Sequence, residues 1–210
     1  MINSSYDYIE QLWKSRETLI SILKRQKYDV EEYSITLDEF KEWAGNDDIR
    51  TIKDALTLIL TKELPKQDKL LIMWLGDGKL GENLQMILSK MNYEGCSRSI
   101  IIVDVGVTPS AKSLIRNLAR KKIFVEVSTM IEMQFSVLDH EYVPLHELCN
   151  NTIKNNVLKA YGIKTSQMPE IKFYDPAIKH LGATKGQLVK ITRDSETQPG
   201  YKSITYRVVV

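Results

Sequence analysis

Apolar residues recur every three or four positions at the start of the chain and every second position near its end, and the two periods alternate between. Tyr8, Ile9, Leu12, Trp13, Leu19, Ile20 and Leu23 share one helical face, with Lys14, Glu17, Lys24 and Arg25 mostly off it. Ser4 and Asp7 are the predicted cap of this helix, and Trp13 its predicted core anchor. A shorter helix is expected to start at a Thr36/Glu39 capping box and to stop at Gly45. Two patterns then compete. Leu56, Leu58 and Leu60 alternate with Thr57 and Thr61 as in a strand, while Ile49, Ile52, Leu56 and Ile59 fit a helix face. After a turn at Pro65 and Gln67–Lys69, Leu70–Leu75 reads as a buried strand. Glu82–Met91 reads as a helix with Leu84, Ile87, Leu88 and Met91 inward, and Ser99–Val105 as a β-branched strand. Strand, helix and strand in that order predict a βαβ unit with parallel strands. The chain before it is mainly helical, so the unit is not expected to head a repeating βαβαβ.

Thr108 can cap a further helix that opens on Pro109, with Ala111, Leu114, Ile115 and Leu118 as its inward stripe. Lys112, Arg116 and Arg120 then fall four apart on the other side, followed by Lys121 and Lys122. Such a ridge suits either phosphate contacts or an ordinary solvated face with cations at a helix C-terminus. Ile123–Val127 returns to strand pattern, and Val137–Val143 is a predicted strand joining two domains. Asn150 or Asn151 caps a helix with Ile153, Val157, Leu158 and Tyr161 inward, closed by a Schellman stop at Gly162 and Ile163.

The local signals agree best in the last stretch, Met168–Val210. Asp175 before Pro176 is an N-cap with proline at the first helical position, and Gly182 ends that helix. Gly186 lies in the turn before Leu188–Arg193, where Val189 and Ile191 alternate with Lys190 and Thr192. After a turn-rich segment, Asp194–Gly200, the final strand alternates Ile204, Tyr206 and Val208 with Thr205 and Arg207. Two strands and one short helix cannot bury such a set, so more sheet or a partner must cover it.

Composition narrows the function classes. The 210 residues are 43% hydrophobic and carry a net charge of only +2, which argues against a free-standing nucleic-acid binder held by bulk charge. Ten Lys and Arg face six Asp and Glu from His140 onward, against nineteen and twenty-one before it. Cys96 and Cys149 are unpatterned and read as reduced thiols. No segment approaches the ~20 apolar residues that span a bilayer, and nothing resembles a signal peptide, which reads as a soluble intracellular protein without a membrane partner.

Gly76, Gly78 and Gly81 between strand and helix fit G-x-G-x-x-G, with Asp104 lying 23 residues after the last glycine as the ribose acid of a dinucleotide site. Asp77 and Glu82 oppose an anion there. A nucleotide-binding enzyme built on this loop is the alternative reading. His140, Glu141, His146 and Cys149 share no clean strand or helix face, so no metal is assigned. Glu126-Val127-Ser128 lacks the lysine of a metal-dependent nuclease motif, and no Ser/His/Asp set is present.

From His140 on, HEYVPLHEL, YGIKTSQMPEI, DPAIKHLGATKGQLVKITRDSET and GYKSITYRVVV closely resemble the assembly domain of the fifth-largest subunit shared by the three eukaryotic nuclear RNA polymerases. The archaeal polymerase counterpart consists of that domain alone. Leu12-Trp13 with its charged helix, the Asp-Glu-Phe-Lys element at 38–41 and VTPSAK at 107–112 resemble the same subunit's jaw domain. The likeness is patchy between Gly45 and Gly95, and the family's loop near Gly76 is not glycine-patterned.

The resemblance implies an α/β (α+β) chain of two small domains, a jaw at 1–139 containing the βαβ unit and an assembly domain at 140–210 with short helices and a hairpin-containing sheet. It implies a non-catalytic polymerase subunit needing no cofactor or metal of its own. Thr108, Pro109, Ser110, Ala111 and Lys112 match the motif facing downstream double-stranded DNA, and helical geometry adds Arg116, Arg120, Lys121 and Lys122. The expected surface for the largest polymerase subunit and the rest of the core comprises Asp175, Pro176, Leu181, Gly182, Gly186, Val189, Lys190, Ile191, Arg193, Ser195, Tyr206 and Arg207. The implied location is the nucleus, or a virion or cytoplasmic factory for a large DNA virus. Possession of both domains argues against an archaeal source.

Overall fold

The computed structural model describes residues 2–45, 47–62, 68–75, 80–104, 106–195, 197, 198 and 200–210, and the chain divides into two units, Met1–Phe135 and Ser136–Val210. In the first, α1 (Ile2–Arg25), α2 (Leu37–Ala44) and α3 (Ile49–Ala55) precede β1 (Leu58–Lys62) and β2 (Asp68–Trp74); α4 (Leu80–Glu94), β3 (Arg98–Val103), α5 (Pro109–Arg120) and β4 (Phe124–Thr129) follow. Both competing patterns after Asp48 are real but consecutive: helix to Ala55, then strand from Leu58. The sheet order is β1-β2-β3-β4, with β1 antiparallel and the other three parallel.

The βαβ unit around α4 is therefore present, and α5 makes a second one. The run β2-α4-β3-α5-β4 is a βαβαβ, contrary to expectation; the helices that precede it do not displace the repeat but supply the sheet's other face. Leu70, Ile72, Trp74, Ile100 and Ile102 point to α1, α2 and α3, and Leu71, Met73, Ile101, Val103 and Val125 to α4 and α5. Period-2 side chains on strands buried on both faces produce this division.

Local chemistry sets the element ends. The Thr36/Glu39 capping box forms, with the Thr36 N–H donating to Glu39 Oε2 at 2.7 Å, and these bonds hold the Glu39 carboxyl below its ordinary range. Helix α1 begins at Ile2, so Ser4 lies inside the helix rather than at the cap position. Trp13 is only partly buried, its indole N–H donating to Ile35 O at 2.9 Å. Trp74 is the larger anchor, 2% exposed, with its indole N–H on Ser15 Oγ at 3.1 Å. Lys122 follows α5 in the left-handed region, φ 63°, while Ile123 N–H reaches back to Leu118 O at 3.2 Å.

The second unit contains β5 (Leu145–Cys149), α6 (Asn151–Tyr161), β6 (Glu170–Ile171), α7 (Pro176–Leu181), β7 (Leu188–Asp194) and β8 (Lys202–Val209). Its sheet order is β5-β7-β8-β6, with the β6–β8 pair parallel and the others antiparallel. The strand expected over Val137–Val143 is absent. Val137–Asp139 is a 3-10 turn, Val143 N–H closes a turn on His140 O at 2.9 Å, and pairing starts only after Pro144, which has no N–H to give. Asn150 caps α6 through Ile153 N–H at 2.8 Å, and Gly162 and Gly182 end α6 and α7 at φ 63°.

The cover demanded by Met168–Val210 lies within the unit. Leu188 and Val208 meet Val157 of α6 on one face, with Cys149 and Met168; Val189, Ile191 and Val209 meet Ile178 and Ala183 on the other. Ile191 and Val208 are 1% and 5% exposed. Ile191→Asp is expected to unfold this unit, a loss above about 4 kcal/mol, as measured by denaturant titration with residue-resolved NMR. Lys122→Gly, which removes the left-handed penalty on a β-carbon, is expected to raise the first unit's stability by about 1 kcal/mol in the same titration.

Candidate nucleic-acid interface and docking surface

Helix α5 starts where Thr108 Oγ1 accepts from Ala111 N–H at 3.4 Å, with Pro109 in the first turn. Ala111 is 2% exposed and anchors the helix to the sheet, so of the predicted DNA-facing set its side chain alone points inward. Ile115 and Leu118 are half-buried beside it, whereas Leu114, predicted inward, is 46% exposed. Thr108, Pro109, Ser110, Lys112, Arg116 and Arg120 are exposed, as are Lys121 and Lys122. None of the five cations forms an ion pair with a described residue. No acidic residue occurs from Gly106 to Val125, so nothing on this element neutralises the ridge. It presents uncompensated point charges and rotatable donors, suited to phosphate oxygens and without base-reading geometry.

Open α/β sheets bind ligands beyond the C-terminal ends of their strands at a topological switch point, and β2, β3 and β4 offer none, since α4 and α5 pack on the same face. Gly76 and Gly78 lie outside the described residues, and Gly81 falls in the first turn of α4. Asp104, the acid assigned to a ribose, is taken. Lys53 Nζ sits 2.5 Å from its Oδ2, and Tyr8 O–H donates to its Oδ1 at 2.9 Å. Both carboxylate oxygens are thus bonded within the unit.

The docking residues expected in the second unit divide between the two faces of its sheet. Val189 and Ile191 are spent on the core beneath α7, which corrects their placement on a docking surface. Asp175 caps α7 through Ala177 N–H at 2.9 Å, with Pro176, Leu181 and Gly182 on that short helix and its stop. Gly186 O accepts from Lys154 Nζ at 2.7 Å, and Arg207 Nη1 donates to Glu170 O at 3.0 Å. Lys190 pairs with Glu147 at 2.9 Å, which pushes its pKa up, and Tyr206 lies edge-on to Tyr161. Arg193 is exposed, and Ser195 Oγ accepts from Gln198 N–H at 3.2 Å within the loop.

Pairing brings together a surface that sequence reasoning missed. Leu145 on β5, Thr192 on β7 and Ile204 on β8 are cross-strand partners, as are Cys149, Leu188 and Val208 at the other end of the same face. Helix α6 covers the second row and leaves the first open, so Leu145 is 61% and Ile204 48% exposed. Ile153 and Tyr161, expected inward on α6, are also exposed, at 43% and 60%. The alternation of Leu145, Glu147 and Cys149 is the signal that could have found this row, although five residues ending in a buried cysteine also read as loop.

Among the described residues no group of three or more His, Cys, Asp or Glu is placed to hold a metal ion. His146 Nδ1 pairs with Pro144 O at 2.6 Å, His140 Nδ1 accepts from Tyr142 N–H at 3.2 Å, and burial pushes the Cys149 thiol up. No described helix is long and apolar enough to cross a membrane.

Two family descriptions match in chain order: RNA polymerase Rpb5, N-terminal domain, over residues 7–91, and RNA polymerase Rpb5, C-terminal domain, over 135–209. Similar proteins include the DNA-directed RNA polymerases I, II, and III subunit RPABC1 of Caenorhabditis briggsae, 34% identical over 95% of this chain and 96% of that protein. The subunit of the same name from Caenorhabditis elegans is 33% identical over the same shares, and that of Dictyostelium discoideum 28% identical over 96% of this chain and 98% of its own length. With both domain families in order and relatives above 30% identity along nearly its whole length, the chain belongs to the RNA polymerase Rpb5 family.

Proposed function

We infer that this protein is a shared, non-catalytic subunit of a multisubunit DNA-directed RNA polymerase acting in the nucleus. The observation that carries this reading is the end-to-end match to proteins named as subunits of polymerases I, II and III, across both units. The first unit is the jaw and turns the α5 ridge toward downstream duplex; the second docks on the largest subunit of the core. Support for the first role is the concentration of Lys112, Arg116, Arg120, Lys121 and Lys122 on one element that carries no acid from Gly106 to Val125. Support for the second is the uncovered row of Leu145, Thr192 and Ile204, apolar at both ends and set apart from the unit's own core by the Glu147–Lys190–Tyr206 row.

The tagged chain, expressed in its own cell, is expected to co-purify with the two largest polymerase subunits; recovery of the chain free of them sinks the assignment. Leu145→Asp with Ile204→Asp should reduce that recovery at least tenfold while leaving the thermal unfolding of the isolated chain within a few degrees, because both side chains are already in water. Charge reversal at Lys112 and Arg116 is expected to leave assembly intact and to weaken the polymerase's hold on downstream duplex, with a shallower dependence on salt. Retention that is identical across a salt titration removes α5 from the DNA path.

A further inference from the structure

We propose that Lys53 is a positioning residue for the basic helix: it ties the C-terminal end of β3 to that of β2, and so sets the point from which the chain leaves for the first turn of α5. The proposal rests on the DNA-facing role inferred for that helix, and it concerns a residue on a different element, α3.

Lys53 is 1% exposed, and its ammonium makes two hydrogen bonds. Its Nζ donates to Asp104 Oδ2 at 2.5 Å and to Leu75 O at 3.1 Å, and it lies 5.3 Å from the centroid of the Tyr8 ring. Leu75 is the exit of β2, and its N–H is bonded to Ile102 O at 2.8 Å. Asp104 is the exit of β3 and stands four residues before Thr108, the cap of α5. One ammonium thus ties together the ends of two parallel strands at the edge from which both crossover helices leave. Tyr8 of α1 holds the other carboxylate oxygen from the side at 2.9 Å.

Removing an ammonium from water is costly, and a buried ion pair is often no more stabilising than a well-packed apolar pair of similar volume. A methionine there would satisfy neither the Leu75 carbonyl nor the Asp104 carboxylate. What the lysine adds is geometry. The carboxylate, one-third exposed at 33%, has bonds on both oxygens that fix its direction, and the chain leaving it toward Thr108 starts from a fixed point. Ala111 then seats the helix on the sheet from below.

The test is Lys53→Met in the full-length chain, followed by hydrogen exchange. Amides of Lys112–Arg116, the first in α5 with helical acceptors, are expected to exchange at least about tenfold faster while those of Leu84–Met91 in α4 keep their rates, since only the start of α5 loosens. Unchanged exchange at Lys112–Arg116, or equal acceleration throughout the unit, overturns the proposal. Asp104→Asn, at the surface end of the pair, carries the same test should the methionine variant fail to fold, and Tyr8→Phe should give a smaller effect in the same segment. Assembled into polymerase, Lys53→Met is then expected to flatten the salt dependence of duplex retention as reversal of Lys112 does. Local loosening with unaltered duplex retention keeps the positioning role and overturns the DNA-facing role of α5.

Discussion

A strand buried on both faces must be roofed twice, and both units are built around that requirement. In the first, Leu70–Leu75 and Arg98–Val103 are nearly all buried, so helices are needed above and below. The α4 and α5 crossovers roof one face because parallel strands require a crossover, and α1, α2 and α3 roof the other. In the second, Leu188 and Val189 are both 0% exposed although adjacent in sequence, with α6 on one side and α7 on the other. The consecutive apolar residues of β7 thus dictate a three-layer arrangement in barely seventy-five residues.

What each roof leaves uncovered is what is available to other molecules. Helix α5 needs only Ala111, Ile115 and Leu118 to hold its place, so its remaining surface is free to carry charge. Helix α6 packs on the Cys149–Leu188–Val208 row and leaves Leu145 and Ile204, about 13 Å farther along the strands, uncovered. The apolar set at the chain's end, too large for one helix and two strands, is therefore covered within the unit at one end of the sheet and left open at the other. In the first unit the C-terminal ends of β2 and β3 are instead tied together by the buried Lys53 ammonium, which bonds Leu75 O and the Asp104 carboxylate.

Caps and stops were legible because they depend on residues within four positions of each other. Thr36 with Glu39, Thr108 with Pro109, Asn150, Asp175 with Pro176, and the glycines at 162 and 182 all perform as their types predict. Failures occurred where a distant neighbour decided. Ser4 has the side chain of a cap, but the helix extends past it. Val137–Val143 has strand-forming residues, but no described strand pairs with it. Trp13 and Trp74 are equally apolar, and only the stacking of α1 on the sheet makes the second one the anchor.

The family motifs, the βαβ period, the helix ends and the run of cations on α5 are properties of neighbouring residues, and the linear order of the chain determined them unaided. Which strand pairs with which, and therefore which side chains share a face, is a property of register between segments tens of residues apart. Only the tertiary structure could place Leu145 beside Thr192 and Ile204, withdraw Val189 and Ile191 into the core, and bring Lys53 to Asp104 across fifty-one residues.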